Sequence, residues 1–246
     1  MINARADKFR GLYASTPPRF QISPISSKIP VVDQDPFLPA DESESWHTSF
    51  NLSDQFWDLV KSINDLVQVL ESSRGTLVSP SIIEHYDHQR AWIASRLLSL
   101  IAETANIPAR AYEQCCYLAT LVYHFVHFKP YTFMTSVEGM LLGKLKQALE
   151  ETDVDAYWGD DIELLLWISF TAAGVEDAMR DWFVELLKRV RKALIPKPGL
   201  KRLKFILSKF LWNERTSSLA CDKLYKKLVR PTLEGEVYEM QISLRS

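Results

Sequence analysis

The stretch Asp161-Ile-Glu-Leu-Leu-Leu-Trp-Ile-Ser-Phe-Thr-Ala-Ala-Gly174 limits the fold more than any other part of the chain. Its apolar residues are continuous, so a helix built from it has no side suited to water. Residues 162–175 are too few to cross a bilayer, which takes about 20 apolar residues, and Glu163 interrupts them. The stretch reads as a buried core helix with the following helices packed around it. Residues 109–128 have the same character. Cys115, Cys116, Tyr117, Leu118, Ala119, Leu121, Val122, Tyr123, Phe125 and Val126 cover nearly every side of a second buried helix.

Amphipathic segments supply the rest of the helical body. Leu52, Phe56, Leu59, Val60, Ile63, Leu66, Val67 and Leu70 keep helical spacing, which predicts a helix from a cap at Asn51 or Ser53 to about Ser72. Ser79-Pro80 opens a second helix, serine capping and proline in the first turn, that runs to about Thr104 before Asn106-Ile-Pro108 breaks it. Thr135-Ser-Val-Glu138 has capping-box spacing and starts a helix to about Glu150. Asp160-Asp-Ile-Glu163 offers a second box. Met179, Trp182, Phe183, Leu186, Leu187, Val190 and Leu194 recur every three or four residues, and segments 200–212 and 219–229 give two last helices. The fold class expected is all-α, a multi-helix array. Residues 51–235 form the helical domain.

Six prolines between Pro17 and Pro39 exclude a continuing helix near the start, so residues 1–50 read as an irregular Pro-rich arm lying partly against the helical body. Residues 236–246 read as a tail. No secretory signal is visible; the basic, acid-poor first 20 residues resemble a transit peptide only faintly. Three cysteines, Cys115, Cys116 and Cys221, make neither a disulfide framework nor a zinc spacing, which fits a reducing compartment.

Charge is uneven. Net charge is −2, yet residues 179–230 carry 15 Lys and Arg against 4 Asp and Glu. Such asymmetry marks either an anionic partner or the solvated faces of amphipathic helices. Lys188-Arg-Val-Arg-Lys192 has the composition of a nuclear localisation patch and also that of a helix's polar face near its C-terminus. No helix-turn-helix spacing, zinc-finger ligand set or basic zipper is present.

Candidate chemistry is sparse. Eight glycines with no Gly-rich loop count against nucleotide folds. No Gly-x-Ser-x-Gly elbow exists. Asp153/Asp155 and Asp160/Asp161 fall where caps and loops are expected. Gly139-Met-Leu-Leu-Gly143 fits close helix packing in a core. Two His-x-x-His pairs, His85/His88 and His124/His127, place two imidazoles on one helix face each, and together they could hold a borderline metal. His124 and His127 lie in an apolar helix, where hydrogen-bonded core histidines are the commoner case. No catalytic, cofactor-binding or metal-ligating residue is assigned.

Four segments in order carry a resemblance: Cys115-Cys-Tyr-Leu-Ala-Thr-Leu-Val-Tyr123, Leu164-Leu-Leu-Trp-Ile-Ser-Phe170, Arg180-Asp-Trp-Phe-Val184 and Leu207-Ser-Lys-Phe-Leu-Trp212. Together, over roughly residues 80–230, they resemble the fungal-specific transcription factor domain. That is the helical regulatory region of fungal zinc-cluster regulators and of cluster-free, tachykinin-family-like relatives. Two departures stand out. Tyr117 occupies a position where the family often has arginine, and the six-cysteine DNA-binding cluster is absent. The resemblance implies a non-enzymatic regulatory domain, nuclear, with the cytoplasm as alternative. It would act through protein partners or a homodimer, without cofactor, membrane association or sequence-specific DNA binding of its own. Trp167, Trp182, Phe183, Phe210 and Trp212 are then core residues. The alternatives are a protein-interaction scaffold with no transcriptional role, and a metal-binding helical protein using the two histidine pairs.

Overall fold

Two helices are buried without interruption, and they touch each other. The helix Ala111–His127 buries every residue from 115 to 124, and the helix Ile162–Ala173 buries every residue from 164 to 173. The computed structural model describes residues 52–72, 79–128, 135–152, 158–175, 178–195 and 199–229. The expected Pro-rich arm and C-terminal tail lie outside these residues. Among the described residues there are eight α-helices and no strand, as the all-α reading requires. In chain order they are α1 Asp54–Ser72, α2 Pro80–Thr104, α3 Ala111–His127, α4 Thr135–Glu150, α5 Ile162–Ala173, α6 Arg180–Leu194, α7 Leu200–Leu207 and α8 Glu214–Val229, with a 3-10 turn Pro108–Arg110 leading into α3.

α3 is the first hub. It packs against α1, α2, α4 and α5; α5, the second hub, packs against α3, α6 and α7, and α8 joins through α7. A helix apolar all round needs neighbours on every side, and this arrangement provides them. The shell helices turn one face inward. α6 buries Phe183, Val184, Leu186, Leu187 and Val190 and leaves Asp181, Glu185, Arg189 and Lys192 in water.

Local chemistry sets several boundaries. Ser53 and Ser79 cap as expected, their hydroxyls accepting from the amides of Phe56 (3.3 Å) and Ile82 (3.4 Å). Asn106 holds φ 62°, a left-handed residue that ends α2 and turns the chain into α3. The Thr135 side chain, on which the box expected at the start of α4 depends, lies outside the described residues.

Three boundaries differ from the sequence reading. The N-cap of α5 is Asp161, not the Asp160 of the expected box, and it makes no side-chain cap; its carboxylate accepts from Tyr112 OH at 2.7 Å. α7 stops at Leu207 and not at 212: after the last helical bond, from the Ser208 amide to the Lys204 carbonyl, the amides of Lys209 and Phe210 bond only three residues back, to Ile206 and Leu207, in a tightened turn. α8 begins at Glu214, five residues before the expected 219. Asn213 supplies the cap there by accepting from the Thr216 amide at 3.0 Å.

Tyr117 is fully buried, yet its hydroxyl is satisfied. It donates to Glu113 Oε2 at 2.9 Å, and Arg110 grips the same carboxylate with two bonds of 2.9 and 2.6 Å. This bidentate arginine, with the Tyr117 bond, holds the Glu113 carboxyl below its usual range. Gly143 approaches a side chain, not another backbone: a Cβ there would lie 3.4 Å from Met179 Cε.

Candidate functional site

The histidines of α3 do not act as a pair. Spacing of three residues predicted a shared face, but the two rings serve different neighbours. His124 is buried and its Nε2 lies 3.0 Å from the Arg90 carbonyl on α2. A carbonyl only accepts, so the proton sits on Nε2. Arg90 returns the contact, donating from Nη1 to the Phe128 carbonyl at 3.0 Å. A guanidinium there satisfies an orphan carbonyl at the α3 C-terminus and meets the negative end of its dipole. Its other nitrogen pairs with Asp87 at 3.1 Å.

His127 turns to α8. Its Nδ1 lies 2.8 Å from Thr216 Oγ1, and that hydroxyl donates to Asn213 Oδ1 at 2.9 Å. With its proton committed to Asn213, the hydroxyl accepts from His127, which fixes the Nδ1–H form of the neutral ring. The Tyr123 ring lies 4.0 Å from the imidazole, centroid to centroid. Burial lowers the His127 pKa to about 4. Ser217 closes the junction: its hydroxyl accepts from the Asn213 amide at 3.1 Å. Burial raises the Tyr123 phenol far above its usual range.

His85 and His88 sit half-buried on α2. Among the described residues no group of three or more His, Cys, Asp or Glu side chains comes together as metal ligands. Cys115, Cys116 and Cys221 are buried free thiols, and burial pushes each pKa up, that of Cys221 to about 12. They are poorly placed for nucleophilic chemistry. Asp161, bound to Tyr112, is held above the usual carboxylate range by its own burial.

Aromatic residues of three of the four quoted segments form a seam along α5, while Trp182 and Phe183 of the third segment pair with each other on α6 at 4.9 Å. Tyr123 on α3 lies 6.2 Å from Trp167 on α5, Trp167 lies 5.9 Å from Phe210, and Phe170 stacks on Trp212 at 6.1 Å. The Trp167 indole donates to the Leu211 carbonyl at 3.0 Å. Arg180 Nε donates to the Ala173 carbonyl at 3.2 Å and ties α6 to the end of α5.

The 188–192 patch is only partly presented to solvent. Val190 is buried and Lys188 pairs with Glu185 at 2.6 Å. Arg191 is half-buried, its Nε and Nη1 enclosed without a hydrogen-bond partner. Arg189 and Lys192 remain exposed. Five consecutive helical residues span more than one turn, so they cannot all face one way.

The polar junction at Asn213, Thr216 and Ser217 was missed in the sequence, although Asn followed by Glu is a helix-start signal. The apolar-periodic part of α8 begins only at Leu219, and that pattern hid the earlier start. No helix among the described residues is long and apolar enough to cross a membrane. Compared with protein-family models, with curated proteins and with solved structures, the chain finds no match.

Proposed function

We propose that this chain is a transcription-regulator-like helical module of the fungal-specific transcription factor domain type. It acts in the nucleus through protein partners or as a homodimer, and has no zinc cluster of its own with which to read DNA. One observation supports the reading above the others. Three of the four segments that carry the resemblance, dispersed over residues 115–212, bring their aromatic residues Tyr123, Trp167, Phe170, Phe210 and Trp212 together in a seam along α5. In this reading the tryptophans position helices and take no part in chemistry.

The test is a fusion of the full chain to a heterologous DNA-binding module, placed upstream of a reporter. A regulatory domain changes reporter output several-fold in either direction. Output equal to that of the DNA-binding module alone, with the fusion shown to be expressed and nuclear, removes the transcriptional part of the proposal. Imaging of the tagged chain tests location. Strict nuclear exclusion, unchanged in Arg189→Ala plus Lys192→Ala, counts against the nuclear assignment.

A further inference from the structure

α7 and α8 lie side by side, held by Lys204, which reaches across to Ser218 Oγ at 2.7 Å and Asp222 Oδ1 at 2.8 Å. One residue beyond each anchor stands an exposed apolar side chain: Phe205, 49% exposed, after Lys204, and Leu219, 56% exposed, after Ser218. Around them the exposed cations are Lys201 and Arg202 on α7 and Arg215, Lys223, Lys226 and Lys227 on α8. None of these cations is in an ion pair with a carboxylate among the described residues. The two acids on these helices are already engaged. Asp222 holds Lys204, and Glu214 accepts from the Trp212 indole at 2.7 Å. Arg202 Cζ and Lys209 Nζ each lie 5.4 Å from the Phe205 ring centroid.

We infer that this α7–α8 face binds single-stranded nucleic acid without regard to sequence. Charge complementarity calls for an anionic occupant, since among the described residues the face has six unpaired cations against one exposed carboxylate charge, that of Glu214, which the bond from a neutral indole does not cancel. The composition then separates the classes of anion. Protein interfaces are depleted of lysine and centre on buried apolar anchors. This face is lysine-rich, with two isolated apolar residues. An anionic bilayer is met by a broad apolar stripe, which these helices have already turned into the core: Leu203, Ile206 and Leu207 on α7, Cys221, Leu224 and Leu228 on α8. A strand of phosphates with bases free to stack asks for spaced cations and a protruding aromatic ring. Phe205 between Arg202 and Lys209 is that ring. The inference does not depend on the regulatory reading, because it concerns phosphate contacts and stacking, with no reading of base edges.

The experiment uses the purified full chain and a fluorescein-labelled oligo(dT) 20-mer, followed by anisotropy between 50 and 300 mM salt. The expected affinity falls with salt along a log–log slope of about −3.5 to −4.2, the value for five or six phosphate contacts on a single strand. Lys201→Glu plus Arg202→Glu, and separately Lys223→Glu plus Lys226→Glu, each weaken binding by about tenfold or more at 50 mM salt. Phe205→Ala weakens it by about tenfold with the salt slope unchanged, since stacking releases no counterion. Arg189→Glu plus Lys192→Glu on α6 leaves binding as it was. All altered side chains are exposed, so circular dichroism melts confirm that each variant folds. No binding at 50 mM salt overturns the inference. So does equal loss in the α6 variant. Tighter capture by poly-glutamate assigns the face to an acidic protein segment, and tighter capture by phosphatidylserine vesicles assigns it to a lipid surface; either result also overturns it.

Discussion

Trp167 joins two effects that substitution can separate. Trp167→Phe keeps most of the ring but leaves the buried Leu211 carbonyl without its donor, at an expected cost of about 1–3 kcal/mol. Trp167→Ala also empties the seam between Tyr123 and Phe210, and its cost rises to about 3–5 kcal/mol. Urea denaturation at neutral pH measures both. His127 gives the fold a defined response to acid. Its pKa falls from 6.5 when unfolded to about 4 when folded, so between these values the unfolded chain binds the extra proton. The contribution is complete above pH 6.5 and is lost as pH falls toward 4. His127→Asn, whose amide nitrogen can take the place of Nδ1 toward Thr216, is expected to flatten the stability profile across that window. Midpoints of urea unfolding from pH 4 to 7 check it. At this scale the sequence was least legible. The spacing of His124 and His127 gave no hint that one ring answers Arg90 and the other Thr216, because both partners arrive from distant segments.

Helices were more legible than their contacts. α1 and α2 begin at the serines whose side chains cap them, since capping is written within four residues. α3 and α5 were recognisable as buried because their apolar residues leave no polar face. The end of α7 was not readable. Leu203, Ile206, Leu207, Phe210 and Leu211 keep helical spacing and are all buried, so the pattern runs on although the helix stops. What stops it is tertiary: the chain must turn for Leu211 to meet Trp167 and for Trp212 to stack on Phe170. Gly143 carries an element-scale prediction. An added methyl would meet only the mobile end of Met179 at 3.4 Å, and α4 would gain a better helix former. Gly143→Ala is therefore expected to stabilise the protein by about 0.5–1 kcal/mol, read from the shift in denaturation midpoint.

For the whole molecule the cysteines provide a simple probe of integrity. All 3 thiols are buried with raised pKa values. A thiol reagent at pH 8 is expected to label none in the native chain within minutes and all three in denaturant. Rapid labelling of Cys115 or Cys116 in the native chain would mean that the α3 hub opens readily. The pattern of neighbours has a kinetic consequence as well. Most packing joins helices adjacent in sequence: α1 with α2, α2 with α3, α3 with α4, α5 with α6, α7 with α8. Contact order is correspondingly low, and loop-closure entropy favours these hairpins as the earliest steps of assembly. The bond between His127 and Thr216 closes 89 residues and belongs at the end. Pulsed hydrogen exchange during refolding should find α8 amides protected after those of α3, so the last of the eight described helices to be translated would also be the last to lock.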